Sequence, residues 1–228
     1  MGHRRKIVLA AVFAVSLLLC GIFAFSQIPV SAAETKTGVG LSEHALKAYR
    51  EGWKYHYGRY GQYIGGVRST DCSGLIKSYL WWQGDDCDPE PNLISVAGSS
   101  RAMLASATEK GTINLSDASS LPRIHGLILY SPGHVGVYVG SNKSIDNRCS
   151  GVNIKYEDVI GGKYHWTQWF KLPQITYPET GFVTFDGKQF YYENGQYVVS
   201  TSRTIDGVTY TFDDSGVLIS SSDSSTEN

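Results

Sequence analysis

The sequence predicts an α+β fold, with helices first and an antiparallel sheet after them, and a small β-hairpin module at the end. Three observations predict it. Apolar residues recur at helical spacing in the first half of the chain. Alternating, β-branched stretches fill residues 126–157. An internal repeat with a period of 20 residues lies near the C-terminus. Helices followed by strands argue for α+β rather than alternating α/β.

The chain has 228 residues, enough for one ordinary domain and a small second one. Hydrophobic residues make up 42% and charged residues 18%, so a packed core is feasible and wholesale disorder is excluded. Residues 1–33 read as an export signal. His3, Arg4, Arg5 and Lys6 form a basic start, residues 7–25 carry no charge, and Ser31-Ala32-Ala33 offers small residues for cleavage. That apolar run of 19 residues, at about 1.5 Å each, nearly spans a bilayer, so an uncleaved membrane anchor is the alternative. Leu19 before Cys20 argues against lipidation. Either way the functional part is expected outside the cytoplasm. Removing residues 1–33 leaves 17 Lys+Arg against 21 Asp+Glu. No basic block survives, which argues against a nucleic-acid partner.

Residues 34–41 read as a polar tether. Ser42 is a plausible helix cap, followed by Ala45, Leu46, Tyr49 and Trp53 on one face. Residues 57–66, rich in Gly and Tyr, read as a loop. Thr70 or Asp71 can cap a second helix with Leu75, Ile76, Tyr79 and Leu80 at helical spacing and Gly84 as its stop. Residues 84–98 look like a loop insertion, and residues 99–110 like a third helix. Strands are expected at 126–130, 134–140, 143–146 and 151–157. Residues 173–180, with two prolines, fit a linker. Residues 181–219 hold the repeat, in which Asp186-Gly187 falls on Asp206-Gly207, Phe190 on Tyr210 and Tyr192 on Phe212. Residues 220–228 are Ser-rich and expected to be disordered.

The chemistry centres on "TDCSGL" at residues 70–75. A cysteine attacks as the thiolate and needs help to ionise at neutral pH. Cys72 in the first turn of a helix gains part of that help from unpaired amides and the helix dipole. The same amides can hold a developing oxyanion. Without the signal segment three cysteines remain, Cys72, Cys87 and Cys149. An odd count in an exported chain fits one thiol kept free. Cys87 and Cys149 are then candidates for a disulfide, the alternative being two unpaired thiols. Among six histidines, His134 is the best base. It opens an alternating strand on which His134, Gly136 and Tyr138 share one face. A base of this kind needs a third, orienting group. Asp146 on the next strand reaches His134 if the hairpin loop is the three residues Gly140, Ser141 and Asn142. A two-residue loop turns Asp146 away and makes Asn147 the substitute.

"DCSGL", then "GHVGVYVG" with its histidine 62 residues after the cysteine, then a polar residue 12 further on, resembles the NlpC-type peptidoglycan endopeptidases. These are papain-like cysteine peptidases of bacterial cell walls. "YHYG" and "LPRIHGLILY" resemble two further segments of that family, so the likeness covers residues 42–172. It implies a papain-like domain with N-terminal helices packed on an antiparallel sheet, no metal and no cofactor, and peptidoglycan as substrate. It implies hydrolysis of stem-peptide bonds, commonly between D-glutamate and a diamino acid, with Cys72, His134 and Asp146 as the catalytic residues. Tyr55 is then expected to help the oxyanion or substrate, and Asp71 and Ser73 to bind the stem peptide. The third position, most often His in that family, is Asp146 here, and the segment 84–98 looks longer than usual. A thiol-dependent amidase that cuts between sugar and peptide, or an inactive wall-binding module, are the alternatives.

"GFVTFDGKQFYYENG" resembles the cell-wall-binding repeats of choline- and glucan-binding proteins of Gram-positive bacteria. In that likeness Phe190, Tyr192, Tyr210 and Phe212 are the aromatics that stack on a wall polymer or cage a cation. The usual tryptophans are missing and only two units are present. The alternative is that these aromatics form a small core docked on the rest of the chain. The resulting expectation is a secreted, wall-associated protein, with a membrane contact only through an uncleaved N-terminal segment.

Overall fold

The computed structural model describes residues 35–223. The expected signal or anchor at 1–33 and the end of the expected tail, 224–228, lie outside the described residues. Among the described residues no helix is long and apolar enough to cross a membrane.

Helix α1 (Gly38–Arg50) is capped by Thr37, whose side chain accepts from the Gly40 amide at 3.0 Å. The expected cap, Ser42, lies inside the helix and donates to the Tyr138 carbonyl at 3.1 Å. The tether expectation is corrected too, because the Gly38 amide donates to the Thr176 carbonyl at 2.9 Å and ties this segment down. The Gly/Tyr stretch expected as a loop forms a small sheet of β1 (Lys54–Tyr55), β2 (Tyr60–Ile64) and β3 (Val67–Thr70). A bulge at Gly61, with φ 116°, lets β2 pair despite its glycine. Helix α2 (Cys72–Leu80) follows directly, with Asp71 as N-cap and Leu75, Ile76 and Leu80 fully buried. Its C-cap is Trp81, three residues before the expected stop at Gly84. Residues 84–98 carry no helix or strand, as expected. Helix α3 (Ser100–Ala105) is shorter than expected, and the chain turns into β4 (Glu109–Thr112).

The main sheet has six strands in the order β4-β9-β5-β6-β7-β8, every pair antiparallel. Strands β5 (Ile128–Ser131), β6 (His134–Tyr138), β7 (Lys143–Asn147) and β8 (Ile154–Asp158) fall where alternation predicts them. Strand β9 (Gln168–Lys171) inserts between β4 and β5 and is an addition to the predicted set. Helices α1 and α2 pack against β6 and β7. Val135, Val137 and Ile145 are fully buried with Leu75 and Ile76 in the shared core. The class is therefore α+β, with mostly antiparallel sheet and few helices.

The hairpin β6–β7 has Val137 opposite Ile145 and Tyr138 opposite Ser144. The Val139 amide donates to the Lys143 carbonyl at 2.9 Å, and the Lys143 amide to the Gly140 carbonyl at 2.8 Å. The loop is thus Gly140, Ser141 and Asn142, which sets Asp146 against Gly136.

The C-terminal units are two three-stranded antiparallel sheets. The first is β10 (Gly181–Phe185), β11 (Lys188–Glu193) and β12 (Gln196–Tyr197); the second is β13 (Thr201–Ile205), β14 (Val208–Phe212) and β15 (Leu218–Asp223). Asp186-Gly187 and Asp206-Gly207 turn with positive φ at both residues, 50° and 70° in the first unit and 49° and 81° in the second, as a type I′ hairpin turn requires. Strand β15 takes up residues 220–223 of the expected disordered tail. The connection 173–180 is packed rather than free, with Ile175 only 6% exposed.

The first unit docks on the main domain. Phe185, Phe190, Tyr192 and Tyr197 surround the His125 ring at centroid distances of 4.5–6.3 Å. The Tyr192 hydroxyl lies 2.8 Å from His125 Nδ1, and the Arg123 Nε donates to the Tyr197 carbonyl at 2.8 Å. Phe190, Tyr192 and Phe212 are buried. These three expected ligand aromatics are therefore core residues, because a lone hairpin unit must cover its apolar face against a neighbour. Tyr210 stays half-buried, with its ring 4.8 Å from that of the exposed Phe182.

Candidate active site

Cys72 is the first residue of α2 and half-buried. Its position follows from the cap before it. Asp71 Oδ1 accepts from the Gly74 amide at 2.6 Å and the Ser73 hydroxyl at 3.0 Å, and Oδ2 accepts from the Gly58 amide at 2.9 Å. Such a cap contributes about 1 kcal/mol to the helix. Gly74 is required by a close approach, since a Cβ there would lie 1.9 Å from the Arg59 carbonyl oxygen. The amides of Cys72 and Ser73, at the helix start, have no carbonyl within the helix to bond.

His134 meets Cys72 from β6. Nε2 is 2.8 Å from Asp146 Oδ2, which leaves Nδ1 as the nitrogen for the sulfur. Trp166 stacks on the ring at 5.6 Å and Tyr164 packs beside it at 5.0 Å. Burial works against a charge on the ring, but the hydrogen-bonded Asp146 carboxylate and the nearby Cys72 outweigh it and raise the His134 pKa to about 9. Asp146 is fully buried. Burial opposes its charge, yet the hydrogen bonds from His134 and Arg148 bring its pKa below the ordinary value.

Arg148 was not singled out by the sequence reading. Its Nε donates to Asp146 Oδ2 and its Nη2 to Oδ1, both at 2.9 Å. Its place two residues past Asp146 was the available signal, because alternate strand residues share a face. Tyr164 and Trp166 gave no such signal, since only the tertiary fold brings their segment over His134.

The other predicted residues divide. Tyr55 is half-buried, with its pKa raised by burial first and then by the charge of Cys72. Asp71 is the helix cap and the Ser73 hydroxyl donates to it at 3.0 Å, so both are engaged within the chain. Asn147 does not orient His134. Its Nδ2 donates to the Lys54 and Thr70 carbonyls at 3.0 and 3.2 Å and to Thr70 Oγ1 at 2.8 Å, tying β7 to the strand that leads into Cys72. Cys87 and Cys149 are free and exposed, which corrects the expected disulfide. Buried Arg68 draws the Cys87 loop inward through the Asp85 and Cys87 carbonyls, at 2.6 and 3.2 Å. Cys149 instead belongs to the β7–β8 turn, where its carbonyl accepts from Asn153 at 2.9 Å. Of the other histidines, His44 and His125 are buried in the core, with pKa values pushed down to about 3 by burial.

Among the described residues no group of His, Cys, Asp and Glu is placed to hold a metal ion. A cleft of about 450 Å3 between the main domain and the hairpins, lined by Arg123, Tyr138 and Tyr197, lies away from Cys72. The chemistry, rather than the volume, marks the site.

No protein-family model and no curated protein matches this chain. Solved structures similar to it include an alternansucrase in complex with isomaltononaose, at 22% identity and a TM-score of 0.20. The match covers 45% of this chain and 9% of that one. A likeness this slight carries no argument about fold or activity.

Proposed function

We propose that this chain is an exported thiol hydrolase with a papain-like, NlpC-type domain that cleaves peptide bonds in peptidoglycan stem peptides. The observation that carries the reading is the line of three side chains. Cys72 opens a helix close enough to His134 to raise the pKa of its ring, and His134 Nε2 is bonded to buried Asp146 at 2.8 Å. The substrate class rests on the "DCSGL" and "GHVGVYVG" likeness.

In this reading the Cys72 sulfur attacks the peptide carbonyl carbon while negative charge builds on the carbonyl oxygen. The Cys72 amide supports that oxygen. His134 passes its Nδ1 proton to the departing amine, the C–N bond breaks, and a thioester remains on Cys72. A water then gives a proton to His134 and attacks the thioester carbon. The C–S bond breaks, which restores the Cys72 thiolate beside the His134 cation, and the carboxylic acid product leaves and gives its proton to solvent. Asp146 orients the ring throughout and stabilises its cation.

Mass spectrometry of fragments released from purified walls tests the reading. Shortened stem peptides still joined to sugar are expected. Release of intact stem peptides points to amidase chemistry instead, and no release sinks the hydrolase reading.

A further inference from the structure

Asp146 is the only buried acid among the described residues, and two cations share it. His134 Nε2 and Arg148 Nε converge on the same oxygen, Oδ2, at 2.8 and 2.9 Å. Arg148 also holds Oδ1 at 2.9 Å, so it grips the carboxylate as a fork. The guanidinium is itself fixed. Its Nη1 and Nη2 each lie 3.2 Å from Glu157 Oε2, and its centre lies 4.7 Å from the Tyr164 ring. Tyr164 in turn packs on His134, so His134, Asp146, Arg148 and Tyr164 form a closed ring of contacts.

A thiol hydrolase needs its imidazole in two states. The cation protonates the leaving amine, and the neutral ring takes a proton from water. A buried carboxylate with the imidazolium as its sole counter-ion holds that cation too tightly, because charge interactions are strong in a low-dielectric site. A second cation on the same oxygen divides the hold.

We propose that Arg148 is a positioning residue that acts on His134 through Asp146, fixing the carboxylate and limiting how basic the imidazole becomes. The inference rests on reading His134 as the base. The titratable groups that face the ring are Cys72 from α2, Asp146 from β7 and Tyr164 from the segment before β9; Arg148 and Glu157 face Asp146 from behind. Even with Arg148 in place the ring titrates high, at about 9, so little room is left before the neutral form becomes too rare.

The test compares the wild type with Arg148→Met and Arg148→Lys by NMR titration of labelled histidine, alongside wall hydrolysis from pH 6 to 10. In Arg148→Met the His134 titration is expected to move up by about one unit. The acid limb of kcat moves with it, so kcat at pH 7 falls about tenfold for each unit while KM holds. Arg148→Lys keeps the charge but loses the fork, and its titration is expected between the other two. It also keeps the test open if Arg148→Met fails to fold. A His134 titration unchanged or lowered in the folded variants overturns the proposal. The titration needs no substrate, so a wild type that fails to cut walls refutes the functional reading and leaves this result readable.

Discussion

Acid should loosen this fold through two histidines that the proposed chemistry does not use. His44 sits in the helical core, 2.7 Å from the Ser78 hydroxyl, and His125 sits under the first hairpin unit. Burial lowers both from 6.5 to about 3. The folded values are depressed, so on acidification the unfolded chain takes up these protons first. The stability they permit is present above pH 6.5 and drains away as pH falls toward 3. At pH 5 each ring costs about 2 kcal/mol relative to alkaline conditions. His134 works the other way. Its folded value is raised to about 9, so its contribution is complete below 6.5 and is lost as pH rises through 9. Between pH 7 and pH 5 it returns about 1 kcal/mol, leaving a net loss of about 3 kcal/mol. That is a large part of the roughly 5–15 kcal/mol that holds a typical domain together. Urea unfolding followed by tryptophan fluorescence at the two pH values measures it directly. His125→Phe should cut the net loss to about 1 kcal/mol, because only His44 then opposes the gain from His134. Equal unfolding free energies at pH 7 and pH 5, or an undiminished acid loss in His125→Phe, would refute the reasoning.

Three further outcomes follow from the contacts. Asp146→Asn takes the charge from between His134 and Arg148, leaves Arg148 with Glu157 as its counter-ion, and should cost about 2–3 kcal/mol in denaturant unfolding, with a lowered His134 titration by NMR; unchanged values of both contradict it. Gly136→Ala should cut wall hydrolysis sharply at little cost in solubility. Its Cβ would lie 2.7 Å from Trp166 and 3.0 Å from the Asp146 Cβ, so the wall behind His134 must shift. Deletion of residues 181–228 should destabilise the main domain, seen as a lower thermal midpoint and faster proteolysis, because it uncovers His125 and strips the Tyr197 hydroxyl from the Ser141 amide, 2.9 Å away. A free-standing binding module would leave both unchanged.

The helix that starts at Cys72 was legible because its cap and its apolar spacing are local. So was the β6–β7 hairpin, whose register reduces to a loop length. The elements that escaped depend on distant partners. Gly38 and Gly40 argue against a helix start by propensity, yet added Cβ atoms there would lie 2.4 Å from the His125 carbonyl and 2.3 Å from the Tyr79 hydroxyl. Packing therefore fixes glycine at both. Gly111 in β4 similarly makes room for Trp169 of β9, its partner across the sheet, 2.7 Å from where a Cβ would stand. Asp146 was found from register alone, whereas Arg148 required knowing that the carboxylate is buried and so needs a second cation. The hairpin aromatics were visible as a repeat, but not that Phe190 and Tyr192 face His125.

The central claim is that Cys72 is the nucleophile. Purified peptidoglycan incubated with wild type and with Cys72→Ala, and assayed for newly released amino groups, tests it most directly. The account predicts steady release by the wild type and none by a Cys72→Ala protein of unchanged thermal midpoint. Release at the wild-type rate by Cys72→Ala would contradict it.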